Sequence, residues 1–141
     1  MNDLTNMSEN YSINVKEGTF ADAILKTYSP LNTREKFKEK YADKSFKILL
    51  NPKDGHYAAL ITVDKGVLTV EGIENENKNN LDEDILGWDG YIQTTLALFD
   101  EIGKGNLTQG DIAKKMVARK IKIKNVKMVA KLAEMMSFMN D

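Results

Sequence analysis

The chain has no cysteine, which removes disulfides, thiolate nucleophiles and thiolate metal sites together. A reducing compartment agrees with that absence. Histidine occurs once, as His56 beside "KDG", so there is no histidine pair for zinc and no imidazole-based triad. Nowhere do about 18 apolar residues run together, as a membrane-spanning helix needs. The opening MNDLTNMSEN carries neither a basic region nor an apolar run, and does not read as a signal peptide. A cytoplasmic protein is expected, and the Lys- and Asn-rich composition looks bacterial.

What is present is a 141-residue chain, 42% hydrophobic and 29% charged, the profile of one globular domain able to bury roughly 68% of its unfolded surface. The net charge of −1 hides an asymmetry. Residues 71–101 hold nine acids and one lysine, whereas residues 104–131 hold nine bases and one aspartate. A basic block fits nucleic acid, an anionic membrane or a plain solvated face. Nucleic-acid readers add stacking aromatics, and none lies between Phe99 and Phe138, so no nucleic-acid partner is expected.

Residues 1–18 read as a polar, flexible arm and residues 19–141 as the domain. "TFADAILKTY" opens with Thr19 and Asp22 in capping-box spacing and must stop before Pro30. A second helix fits "NTREKFKEKYAD", capped by Asn32 or Thr33, with Phe37 and Tyr41 one turn apart. "SFKILLN", "HYAALITV" and "GVLTVEGI" are strands joined by the glycine-containing turns "PKDG" and "DKG". The middle strand is apolar on both faces, so it should be covered on both. "ENENKNNLDED" reads as a loop, and "ILGWDG" as a short strand bearing Trp88. Helices are expected over "YIQTTLALFDEI", with Ile92, Leu96, Phe99 and Ile102 in phase, and over "LTQGDIAKKMV", with Thr108 and Asp111 as cap and partner. In "RKIKIKN", Ile121 and Ile123 point one way and the lysines the other. Asn125 can take a left-handed turn cheaply, whereas Arg119 is expected at ordinary backbone angles. Met128, Val129, Leu132, Met135, Met136 and Met139 form the stripe of a terminal helix.

No catalytic constellation emerges. Asp82, Glu83 and Asp84 lack calcium-loop spacing and read as solvated acids. Gly103, Gly105 and Gly110 act as helix stops rather than a phosphate loop. Five of the seven methionines lie at or after Met116; such flexible side chains line irregular pockets or fill ordinary core, and composition leaves both open.

"FKILLN", "HYAALITVDKGVLTV", "DILGW", "TTLALFDEIGKGNLTQGDIAKKM" and "RKIKIKN" before "VKMVAKLAEMM" occur in the order seen in the sterol carrier protein type-2 family, which residues 20–138 resemble. Arg119 and Asn125 stand where that family commonly has glycine. The resemblance implies an α+β fold with about five mostly antiparallel strands covered by helices, and a hydrophobic tunnel between sheet and C-terminal helices. It implies noncatalytic binding or transfer of a fatty acid, acyl lipid or sterol-like ligand, without a metal or cofactor. The tunnel wall would be Ile92, Leu96, Phe99, Ile102, Ile112, Met116, Ile121, Ile123, Val129, Leu132, Met135 and Met136. Lys120, Lys122, Lys124 and Lys127 would meet an anionic membrane surface. The alternative is an interaction module with a filled core and an exposed part of the methionine stripe serving a homodimer.

Overall fold

A computed structural model of the chain describes residues 11–76, 78–104 and 106–140. It is an α+β fold built on one six-stranded mixed sheet. The expected meander forms it: β2 (Ser45–Pro52), β3 (Tyr57–Asp64) and β4 (Val67–Glu74) run antiparallel, with Ile48 opposite Ile61 and Ile61 opposite Val70. Lys65 and Gly66 both take positive φ, 51° and 81°, the two-residue hairpin geometry whose twist matches that of the strands.

Three further strands extend this meander. β1 (Ser12–Ile13) lies parallel to β4, β5 (Gly90–Thr94) parallel to β2, and β6 (Lys122–Lys124) antiparallel to β5. The order is β1-β4-β3-β2-β5-β6. Of the arm expected over residues 1–18, residues 1–10 lie outside the described residues, while Ser12 and Ile13 pair with Val70 and Glu71. β1 runs so close to β4 that a Cβ at Gly72 would meet the Asn14 carbonyl oxygen at 2.5 Å. Gly72→Ala is therefore expected to destabilise the fold by roughly 1–3 kcal/mol through overpacking. A urea midpoint equal to wild type would show that β1 yields freely.

Both sheet faces are covered, as the apolar middle strand requires. On one face Ile48, Leu50, Ile61, Val63 and Val70 join a core completed by helices; on the other Leu49, Ala58, Leu60 and Ile73 are closed by Leu81 and Trp88. Trp88 lies on no strand. It is buried in the approach to β5, after α3 (Glu83–Leu86) and the left-handed Gly87, and its indole N–H donates to the Leu81 carbonyl at 2.9 Å. The acidic loop between β4 and β5 thus folds back over the sheet.

α1 (Phe20–Tyr28) starts as its spacing predicts. Thr19 Oγ1 accepts from Asp22 N, and the Asp22 carboxylate accepts from Gly18 N at 3.0 Å. That backbone bond holds the Asp22 carboxyl below its ordinary range. α2 (Glu35–Lys40) differs from expectation, for it begins later and lacks a side-chain cap. Asn32 is employed elsewhere. Its amide donates to the Leu68 carbonyl at 2.9 Å and accepts from Leu68 N at 2.8 Å, closing the edge of β4 where β1 no longer reaches. Phe37, fully buried, stacks on Tyr41 with ring centroids 5.1 Å apart. The Tyr41 hydroxyl donates to Glu134 Oε1 at 2.6 Å. Burial first, then that carboxylate, pushes the phenol well above its ordinary range.

Candidate functional site

The residues expected at the wall lie in the C-terminal third, in elements that differ from the helical spacing. "YIQTTLALFDEI" divides: Gly90–Thr94 is strand β5, and helix α4 (Leu96–Gly103) begins only after Thr95, whose hydroxyl accepts from Leu98 N at 3.2 Å. Ile92 is consequently a strand residue, opposite Leu50 on one side and Ile123 on the other. Leu96 is 40% exposed and does not join the core. Its N–H is held by the Asp54 carboxylate at 2.8 Å, which fixes the helix start over the β2–β3 turn. Leu98 takes the inward place beside Phe99 and Ile102.

α5 (Gln109–Val117) starts with the full Thr108–Asp111 capping box, both bonds at 3.0 Å. The bonds from Thr108, backbone first, hold the Asp111 carboxyl below its ordinary range. Asn125 takes φ 61° as anticipated and caps α6 (Val126–Val129), its Oδ1 accepting from Met128 N. α6 lies so near β5 that a Cβ at Gly90 would meet Met128 Cγ at 2.8 Å. α7 (Lys131–Met136) follows after Ala130, and a 3-10 turn over Ser137–Asn140 brings Phe138 to Tyr41, 6.3 Å between centroids.

Of the twelve wall residues, Ile92, Ile121, Val129 and Met135 are buried in the core. Phe99, Ile102, Ile112, Met116, Ile123 and Leu132 are half-buried against it. Leu96 and Met136 lie outside that cluster, and Leu98, Phe138 and Met139 belong to it instead. Met135, Phe138 and Met139 fall at i, i+3 and i+4 and so share one face, which Met136 does not join.

The two halves of the helical layer are covered unequally. α1, the 3-10 turn over Ser29–Thr33 and α2 bury Ala21, Leu25, Leu31 and Phe37 to 5% exposure or less. Among the described side chains of α4 and α5, none is fully buried, although Leu98, Phe99, Ile102, Ile112 and Met116 all point at the core.

Beside this region, where the chain enters β6, is a depression of about 420 Å³. Met116, Ile121 and Ile123 supply its apolar part, and Lys53, Arg119, Lys120, Lys122 and Gln93 its polar part. Among the described residues none of these four cations has a carboxylate partner within 4.0 Å. Arg119 departs from expectation, with φ 61° rather than ordinary angles. Its N–H donates to the Met116 carbonyl at 3.0 Å and Lys120 N–H to the Lys115 carbonyl at 2.8 Å. This is the paired closure of a helix C-terminus that normally uses glycine at the Arg119 position. Of the other lysines expected at a membrane, Lys124 stacks over Trp88 at 5.6 Å and Tyr91 at 5.8 Å, while Lys127 is exposed on α6.

A second depression, of about 380 Å³, lies by Ser45, Lys47, Asp64 and Asp89. Its carboxylates are occupied, Asp64 by the Ser45 hydroxyl and Asp89 by Lys47 N. His56 is exposed, 3.6 Å from Glu76. Among the described residues no group of three His, Asp or Glu side chains is placed to hold a metal, and no helix is long and apolar enough to cross a membrane.

No family model matches the chain, and no curated protein matches its sequence. Solved structures do match. A double mutant of a sec-alkylsulfatase superposes on 85% of this chain and 16% of its own, with TM-score 0.57 and 16% identity. The stereoselective inverting sec-alkylsulfatase from Pseudomonas sp. superposes on 79% of this chain and 15% of its own, with TM-score 0.52 and 18% identity. The chain spans about a sixth of the length of those enzymes, and what it has in common with that part of them is its fold.

Proposed function

We propose that this chain binds a long-chain apolar or amphiphilic molecule, without catalysing its conversion, between the sheet and helices α4 and α5. The observation that carries this reading is that α4 and α5 turn five large apolar side chains toward the core and bury none of them fully. Side chains left half-covered on the inner side of a helix gain from an apolar guest, at about 0.8 kcal/mol per buried methylene before ordering costs. The resemblance to the sterol carrier protein type-2 family supports the same ligand class. So does the fold shared with part of the sec-alkylsulfatases, whose name specifies an alkyl substrate. The noncatalytic half of the proposal draws on the exposed position of His56, whose neighbour is the likewise exposed Glu76.

Native mass spectrometry of freshly purified chain, then solvent extraction, tests it. The expected result is one equivalent of an acyl-chain molecule, or uptake of one equivalent from a panel of fatty acids and lysolipids. A bare mass with no uptake, together with a concentration-dependent dimer, would replace this reading by the interaction module.

A further inference from the structure

We infer that the depression beside β6 seats the anionic head of that ligand, a carboxylate, sulfate or phosphate, and that its chain leaves over Met116 and Ile123 toward α4 and α5. The inference rests on the ligand reading above and adds the chemistry of the head.

Three observations converge on it. Lys53, Arg119, Lys120 and Lys122 surround one concavity, and among the described residues no carboxylate neutralises them. Cations gathered without partners repel one another, and a bound anion removes that repulsion. Arg119, secondly, stands in the left-handed conformation that closes α5, where glycine would be least costly and a Cβ is penalised. The chain carries a guanidinium at the position least suited to one, and the guanidinium fork is the side chain best matched to an oxyanion. Thirdly, the segment is held in place. The buried Thr94 hydroxyl donates to the Lys120 carbonyl at 2.8 Å, and Ile121 beside it is 2% exposed. Of the apolar side chains of the same concavity, Met116 and Ile123 are half-buried against the core and Ile121 is buried in it. A charged head and a chain therefore find their surfaces side by side.

Calorimetric titration with decanoate and with decanol, below their aggregation limits, separates the head from the chain. The wild type is expected to prefer decanoate by about tenfold, as one good charge-assisted contact provides. Arg119→Gly suits the local backbone, so it should fold at least as well as wild type. It should lose most of that preference while keeping its decanol affinity, and Lys120→Gln with Lys122→Gln should lose the remainder. Equal affinity of the wild type for the two amphiphiles, or a preference untouched by these variants, would overturn the head-group site alone. Failure to bind either amphiphile would overturn the ligand reading and this site with it. Competition by inorganic sulfate as effective as decanoate would also overturn it, since the chain would then contribute nothing.

Discussion

Replacing Asn32 by alanine is expected to lower the unfolding free energy by roughly 2–4 kcal/mol, a large effect for a side chain that packs no core. Asn32 is 5% exposed and answers both backbone groups of Leu68. Those groups face the side of β4 where β1, only two residues long, has no partner to offer. Removing the amide leaves one buried donor and one buried acceptor, each costing about 1–3 kcal/mol unless water reaches it. Asn32→Asp retains the acceptor, loses the donor and adds a buried charge, so it should be no better than alanine. Urea denaturation with an unchanged m-value measures this. A loss below about 0.5 kcal/mol in Asn32→Ala would mean that the edge is already hydrated.

Met135→Ala should cost roughly 2–5 kcal/mol, whereas Met136→Ala should stay within about 1 kcal/mol of wild type. The two residues are adjacent in sequence and equivalent in composition, but Met135 has no accessible surface and Met136 lies outside the core cluster. A side chain with no accessible surface borders no space that admits even a water molecule. In this arrangement Met135 is therefore core, and its truncation opens a cavity beneath α7. Loss of stability in Met135→Ala would then lower ligand uptake indirectly, so Met116 and Leu132, both half-buried, are cleaner probes of the wall. Thermal melts of the two alanine variants decide the matter, and equal melting temperatures would show that α7 is not anchored by its methionine.

The meander was legible because its turns and its alternation agree: "DKG" supplies a positive-φ pair, and the apolar residues of β3 fall on both faces. The caps at Thr19 and Thr108 were legible for a similar reason, since each lies three residues before an aspartate that reaches back. Ile92 was misplaced because a short strand meeting a helix mimics one longer helix at three-to-four spacing. The signal that could have separated them is Thr95, a capping residue hidden behind a second threonine. Asn32 deceived in the opposite sense, as a good cap residue spent on a tertiary contact 36 positions away that local spacing cannot reveal. Arg119 was missed because nothing in its side chain announces a left-handed backbone; the signal that could have found it is that the resembled family commonly has glycine at that place. The residues expected at the wall were chosen by their apolarity, but the cluster of cations around Arg119, without carboxylate partners among the described residues, depends on Lys53, which only the sheet brings near.

The sheet ends in a two-residue strand on one side and in Lys122–Lys124 on the other. An open strand edge is a template on which a second copy can continue the ladder. Here one edge offers too little length to hold such a partner, and the other presents lysines that would face their own counterparts. Asn32 occupies part of what remains beside β4. The same basic strand that borders the depression thus disfavours edge-to-edge growth of the sheet by charge repulsion.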